Sequence, residues 1–468
     1  MTPSQRPPKV VAVFPSLMSA RQLLLTRAGP ALAASAEATC LLQPGVAERI
    51  GPALDRLSVK LLTVPSPDRR FLRRLGAAGQ RLWPGAGFGG LSYRFNEIQG
   101  FAGHQFKKSF QGEAAKREAI AGNYVAHAYG RPFPRWRTLY DVMSRLYWTD
   151  CLADQKMRRL ISDLAPDVIY IGQVPSPIVR DAILAARRLG VPIVGNVLSW
   201  DHPNLKGPVP PGLDRYTVQN QWMADMLIRH HGVPSERIVV TGWPQMDGYM
   251  AAPDPSREAA ARARYDVAPD AKVILFGLNP PRLGSHEPEA VRRLLAWMDR
   301  PECSDVHLLL RPHPRYLDAL ADYDFIAGAP RVTLVTDGLD DVELLHDQLL
   351  ISSVVLCSVG SLALDATATK RPAIWLHRAK VVNLELMEHL AAVAATNAIP
   401  VATNLDSLIE ELEVTLGNPN RRADERATLI EHYLAPLDGH AGERLVGTIV
   451  ESAKAVVGTA DRLIRSAA

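Results

Sequence analysis

Apolar, β-branched runs alternate with amphipathic segments along most of the chain. "KVVAVFPSL", Lys9 to Leu17, reads as a strand closed by Pro-Ser, and "SARQLLLTRAGPALAAS" behind it has helical spacing. "ATCLLQPG" and "SVKLLTVPSP" follow as short strands, each ended by proline. Between Asp68 and Asp150 the pattern breaks into mixed basic and aromatic residues, an insertion or helical elaboration. Alternation returns with "APDVIYIGQ", a helix closing on Gly190, "VPIVGNVLSWD", "LDRYTVQN", a helix through His231 and "SERIVVTGWPQMD". After a helix over "SREAAARARYDV", the strand "AKVILFGLN" opens a second series that runs through "DVHLLLRPHP", "RVTLVTD", "SVVLCS" and "RPAIWL" with helices between.

Strands separated by helices imply parallel sheets covered on both faces. The expected fold is α/β, with two Rossmann-like doubly wound domains facing a cleft. The first domain is placed at residues 1–250 with its basic insertion at about 68–150, and the second at 251–440. A C-terminal helix, 441–468, is expected to cross back to the first domain.

The longest apolar stretch, "LLISSVVLCSVGSLALDATATKRPAIWL", carries no charge until Asp365. Ser352, Ser353, Ser358, Gly360 and Ser361 interrupt it before about 20 apolar residues accumulate, so it reads as buried sheet and not as a membrane span. The first residues lack the ordered regions of a signal peptide, and a cytoplasmic location is expected. Four cysteines (Cys40, Cys151, Cys303, Cys357) lie far apart with no CxxC, so neither zinc nor a disulfide framework is suggested.

Charge changes the picture more than composition does. Met1 to Asp150 holds 21 Lys and Arg against 9 Asp and Glu, a net +12, while the rest of the chain carries −8. That asymmetry favours an anionic partner for the front third: a membrane surface, a pyrophosphate-linked acceptor or nucleic acid. The segment 69–83, with Arg69, Arg70, Arg73, Arg74 and Arg81 beside Phe71, Leu72 and Trp83, would make an interfacial face with a cationic rim if helical. A solvated helix packed on its own domain is the alternative.

Ligands of open α/β sheets bind beyond the carboxyl ends of the strands, so the chemistry is sought there. "VVLCSVGSLALDA" is strand, Ser-Val-Gly-Ser turn and helix. Gly360 allows close backbone approach, Ser358 and Ser361 offer hydroxyls, and the amides at the helix start favour a phosphate. Asp365 lies one turn in, where a carboxylate could accept from ribose hydroxyls; in the plainer alternative Ser361 only caps the helix. "LLLRPHPR" delivers Arg311 and His313 at a strand end for phosphate contact and for charge on a departing phosphate, or else a rim of solvated cations. In "VLSWDHPNLKG", Asp201 and His202 are adjacent titratable groups, either of which could serve as a general base on an acceptor hydroxyl. Thr241, Gly242 and Asp247 in "TGWPQMD" read as a hinge that also lines the cleft. GxxxxGK[ST], HExxH and GxSxG are absent, which removes the P-loop, zinc-protease and serine-hydrolase readings.

Together these segments resemble the nucleotide-sugar glycosyltransferases of the GT-B fold. Within that fold they resemble the branch of CDP-glycerol glycerophosphotransferases and related surface-polysaccharide enzymes. Its members pair an "RPHP"-like strand end with a turn of the type "ITDYSSVMFD", and "LLLRPHPR" and "LCSVGSLALD" occupy those places, with Ser361 and Asp365 matching the second Ser and the last Asp. "TGWPQMD" looks like the family's "tG.P..D". The resemblance spans roughly Val191 to Leu376. Ser358 stands where the family has Asp and Gly360 where it has its first Ser, which points to a sugar nucleotide in place of a glycerol-phosphate donor.

The resemblance implies a donor seated on the second domain by Asn279, Arg311, His313, Ser358, Gly360, Ser361, Leu362 and Asp365. The catalytic candidates are then Asp201, His202 and His313, with no cofactor and no metal. The acceptor would be a cell-surface glycan or lipid-pyrophosphate, met at the inner face of the plasma membrane by a peripheral protein. Two other enzymes stay in view: a non-hydrolysing UDP-N-acetylglucosamine 2-epimerase, whose Thr-Glu-Arg-Pro signature survives only as "TATKRP", and a glycerophosphotransferase with a CDP-linked donor. A basic nucleic-acid-binding protein is the non-enzymatic alternative, and it would leave the strand-end residues without a task.

Overall fold

In the computed structural model the apolar runs become strands of two parallel sheets. The structure describes residues 6–54, 57–65, 142, 144–149, 154–174, 176, 179–205, 208–252, 254–279, 284, 286–314, 317–377, 384 and 388–466. The basic segment 69–83 and nearly all of the expected insertion at 68–150 lie outside these residues. The chain divides into two compact units: Gly248–Gly439 forms the second, and the residues up to Asp247 and from His440 form the first.

In the first unit the order of elements is β1 (Lys9–Phe14), α1 (Leu17–Leu24), α2 (Ala28–Ser35), β2 (Glu37–Leu42), α3 (Pro44–Leu54), β3 (Lys60–Thr63), α4 (Gln155–Leu164), β4 (Val168–Ile171), α5 (Arg180–Leu189), β5 (Ile193–Asn196), α6 (His202–Leu205), β6 (Arg215–Val218), α7 (Gln221–His231) and β7 (Ile238–Val240). The sheet runs β3-β2-β1-β4-β5-β6-β7, so strand order reverses between β1 and β4, where Val10–Val13 pair in parallel with Val168–Ile171. The one helix expected over 19–35 is two. The Thr26 hydroxyl donates to the carbonyls of Gln22 and Leu23 at 2.9 and 3.2 Å, and Pro30 is tolerated only because it falls in the first turn of α2.

The second unit repeats the plan: α8 (Pro255–Arg264), β8 (Lys272–Gly277), α9 (Glu287–Met298), β9 (Val306–Arg311), β10 (Val332–Leu334), α10 (Val342–Ile351), β11 (Val354–Cys357), α11 (Leu362–Ala368), β12 (Ala373–Leu376), α12 (Glu388–Ala395), β13 (Val401–Ala402), α13 (Leu405–Gly417) and α14 (Ala423–Leu429). Its sheet order is β10-β9-β8-β11-β12-β13, with the reversal between β8 and β11. Every residue of β9, β11 and β12 is buried, as strands covered on both faces require. Arg311, Gly277 and Cys357 stand in register, so the three central strands end at one level. The uncharged stretch from Leu349 is thus divided among a helix end, a strand, a turn, a helix and another strand. Among the described residues no helix is long and apolar enough to cross a membrane.

The last helix, α15 (Ala441–Ser466), belongs to the first unit. Leu445, Val446, Ile449 and Ala453 recur at helical spacing and enter the core built on Phe14, Leu23, Leu32 and Tyr170. Each of the larger of these side chains contributes about 1.5–3 kcal/mol by burial. Asp247 fixes where the helix begins, its carboxylate accepting from the amides of Ala441 and Gly442 at 3.0 and 2.7 Å. Gly442 packs so closely on α2 that a Cβ there would lie 2.9 Å from the Ala28 nitrogen and 3.1 Å from its Cα. Gly442→Ala is therefore expected to lower stability by about 1–3 kcal/mol through overpacking. Thermal and urea unfolding would read this, and a variant as stable as the parent would show that α15 sits less tightly than described.

Candidate functional site

Strand order reverses between β8 and β11, and in open parallel sheets ligands are seated beyond the carboxyl ends of the strands at such a reversal. From β8 the chain continues into Leu278 and Asn279, and from β11 into the turn Ser358-Val359-Gly360-Ser361. Ser358 is buried, Val359 and Gly360 are half-buried and Ser361 is exposed, so the turn rises from the sheet to the surface of this unit. Val359 has φ 32°, left-handed backbone that a β-branched residue adopts only under strain. Ser361 heads α11 without a side-chain capping bond, which leaves its hydroxyl uncommitted to the helix. Leu362 packs over Gly277, where the lack of a side chain at the end of β8 makes room for it.

Beneath the turn lies a polar network. The Asn279 side-chain amide donates to the Ser358 carbonyl at 2.5 Å and to Glu287 Oε1 at 3.2 Å, and the Asn279 backbone N–H donates to Glu287 Oε2 at 2.9 Å. Ser358 Oγ meets His286 Nε2 at 3.1 Å. Glu287 is fully buried, and burial pushes its carboxyl up to about 7 against the opposing pull of hydrogen bonds from Ser358 and Asn279. Glu287 and His286 carried no signal in the sequence, since an acid in the first turn of a helix is commonplace. What could have marked them is their position a few residues beyond a central strand end.

Asn279, Ser358, Gly360, Ser361 and Leu362 therefore come together around one strand-end turn. Arg311 has its guanidinium directed to Gln348 Oε1 at 2.8 Å and to the Leu339 carbonyl at 2.7 Å, and it is buried. His313 follows two residues later, half-buried. Asp365 is buried on α11 and accepts from the Tyr249 hydroxyl at 3.0 Å, and the Tyr249 ring lies 5.0 Å from that of His346. Burial raises the Cys357 thiol to about 12, so it stays protonated below the turn. Among the described residues no group of three or more His, Cys, Asp and Glu is arranged to hold a metal.

In the first unit, Asp201 is half-buried and precedes α6, while His202 is 4% exposed, so Asp201 is the more accessible of the two candidate bases. The loop around them is held by His231. Its Nε2 donates to the Pro203 carbonyl at 2.7 Å and its Nδ1 accepts from the Val209 amide at 3.2 Å, an arrangement that fixes a neutral imidazole. Thr241 is buried with its hydroxyl on the Val218 carbonyl, and its own carbonyl accepts from Arg444 Nε at 2.8 Å. Gly242 has φ 90°, and the first unit ends at Asp247, which caps α15. Burial raises the Asp247 carboxyl, against the pull of the two α15 amides, Arg444 and Arg27.

Two Rossmann-like units, the second with an open turn at its reversal point, define the α/β architecture of GT-B enzymes. The family model described as CDP-Glycerol:Poly(glycerophosphate) glycerophosphotransferase matches residues 209–451, just over half of the chain, and the chain belongs to that family of transferases. No curated protein matches in sequence. Among solved structures, MnaA from S. aureus in complex with UDP is similar with a TM-score of 0.54 at 14% identity, over 94% of this chain and 95% of that one. The UDP-GlcNAc 2-epimerase of Neisseria meningitidis bound to UDP-GlcNAc gives 0.54 at 12% identity, over 95% and 100%. The wall teichoic acid polymerase TagF, as a histidine-to-asparagine variant soaked with CDPG, gives 0.41 at 16% identity over 52% and 58%. At these identities the likeness to the first two is one of fold.

His231 makes the first unit sensitive to acid. Burial lowers its pKa from 6.5 to about 4, so below about 6.5 the unfolded chain takes up a proton that the folded chain refuses. The stability that depends on neutral His231 is full above pH 6.5 and falls by up to about 3 kcal/mol as the pH drops toward 4. Glu287 and Asp247, whose carboxyls burial raises, gain stability over the same range, so His231 is read as the difference between the parent and His231→Gln in urea unfolding between pH 7.5 and 4.5. The variant should be less stable at pH 7.5 and lose less, or gain more, on acidification. A pH dependence identical in parent and variant would remove His231 from the acid response.

Proposed function

We propose that the chain transfers a sugar from a nucleotide-diphosphate donor to a hydroxyl of a cell-surface glycan or lipid-linked acceptor. The observation that carries this reading is the 358–361 turn at the reversal point of the second sheet, inside the segment matched by a family of nucleotide-linked transferases. In this reading the amides of Gly360 to Leu362 and the Ser361 hydroxyl take the diphosphate, Arg311 and His313 supply positive charge nearby, and Asp365 serves the ribose. The first unit holds the acceptor, whose hydroxyl loses its proton to Asp201 as its oxygen attacks the anomeric carbon. The bond from that carbon to the donor's phosphate oxygen breaks, and the nucleoside diphosphate leaves. Neutralisation of that leaving group is assigned to backbone amides and cationic side chains. The basic front third is assigned to an anionic membrane surface or a lipid-pyrophosphate at the inner face of the membrane.

One observation favours a second reading. The family's described donor is CDP-glycerol, which would pass glycerol phosphate to a poly(glycerophosphate) acceptor. Ser358 and Gly360, standing where the resembled motif has Asp and Ser, favour the sugar donor. The two readings share a nucleoside diphosphate or its fragment at the turn and differ in the group that travels.

Thermal-shift titration with UDP-N-acetylglucosamine, other UDP- and GDP-sugars and CDP-glycerol separates them, because only a ligand of the folded state raises the melting temperature. Asp365→Asn is expected to weaken nucleotide binding at least tenfold, with Tyr249→Phe as a control for loss of the 3.0 Å hydrogen bond. Asp201→Asn should keep donor affinity and lower turnover by about a hundredfold or more, as loss of a general base does. Unaltered donor affinity in Asp365→Asn would remove that residue from the ribose, and undiminished turnover in Asp201→Asn would remove the base.

A further inference from the structure

A glutamate in the first turn of a helix ordinarily serves its own helix, by accepting from the free amides there. Glu287 does not. Both carboxylate oxygens are turned away to Asn279, the residue that follows the central strand β8, and the Asn279 amide goes on to grip the Ser358 carbonyl after β11. Gly284 clears the space: a Cβ there would collide with Glu287 Oε2. Asn279 thus bridges the two strand ends that flank the sheet's reversal point, and the Glu287 carboxylate holds it there at the cost of complete burial.

We propose that Glu287 is a positioning residue for donor binding, which through Asn279 holds the backbone of the 358–361 turn in the shape that meets the donor's phosphates. The proposal rests on the reading of that turn as the donor seat. Ionised, Glu287 accepts from the Asn279 amides and the Ser358 hydroxyl, and Ser358 Oγ in turn accepts from His286. Protonated, it becomes a donor at one oxygen and must give up one of these accepted bonds. The groups that face it are His286 at the same helix start, Asn279 beyond β8, Cys357 and Ser358 at the end of β11, and Tyr323 from the 317–326 segment. Because burial raises the carboxyl to about 7, the shape of the turn should respond to pH near neutrality.

The test is calorimetric binding of CDP-glycerol and UDP-N-acetylglucosamine, whose diphosphate diesters do not titrate near neutral pH. It is carried out on the full chain well below its melting temperature, for the parent, Glu287→Gln, Asn279→Ala, the double variant and Gly360→Val. The parent should bind one probe with an affinity that changes between pH 6 and 8. Glu287→Gln should bind it at least tenfold more weakly with a flat pH profile. Asn279→Ala should weaken it similarly, and the double variant should lose no more than either single one, since both act through one link. If Glu287→Gln does not fold, the pH profile of Asn279→Ala carries the test: it flattens if Asn279 relays Glu287, and keeps the parental shape at lower affinity if Asn279 only touches the donor. Parental affinity and pH profile in Glu287→Gln or Asn279→Ala, with binding abolished in Gly360→Val, overturn the positioning role and leave the donor seat standing. Parental affinity in Gly360→Val, or no binding of either probe by the parent, overturns the donor seat itself.

Discussion

Reversal of strand order at the centre of the second sheet is the constraint on which the rest depends. β8 and β11 are neighbours, yet the chain leaves β8 toward β9 on one side and leaves β11 toward β12 on the other. The chain thus turns to opposite sides beyond the level where Gly277 and Cys357 end in register. Three features meet at that point: Leu362 closes down on Gly277, the strained Val359 lifts the turn outward, and Asn279, held by Glu287, ties the end of β8 to the Ser358 carbonyl after β11. The apolar strands supply the rigidity that lets so few polar contacts set the turn's shape.

Each unit carries ionisable groups held where burial disfavours their charge, and these anchor irregular backbone. His231, pressed into neutrality, holds the Pro203 carbonyl of α6 and the Val209 amide, close in the chain to Asp201. Asp247 seats the first turn of α15 on the unit it belongs to, and Arg444 adds a bond to Thr241 from the next turn. Glu287 does the same for a loop and a turn. A hydrogen-bonded buried group of this kind is costly to strip of its partners, which makes the loop conformations specific.

The sheets were legible from the sequence because parallel strands buried on both faces leave uninterrupted apolar runs, and "VHLLLR", "VVLC" and "AIWL" are strands where those runs stand. The break between α1 and α2 was not, since it depends on one threonine turning its hydroxyl back to two carbonyls. The strand-end rule singled out Ser358, Gly360 and Ser361, the resemblance added Asn279, and the Asn279 to Ser358 bond joins the two sets across 79 residues. The support under them was hidden. Glu287 looks like any acid at a helix start, His231 like any helix residue, and the partners of Asp247 lie 194 and 195 residues away. Local periodicity reports which face of an element is buried, and it holds no information about which distant loop a polar side chain will hold.

The 358–361 turn is the seat proposed for the donor's diphosphate. Amide hydrogen exchange on the full chain, with and without a nucleotide donor that raises its melting temperature, tests this most directly. Bound nucleotide is expected to slow exchange at the amides of 359–363 and to leave those of 199–205 unaffected. Protection of the 199–205 loop with none at 359–363 would contradict it.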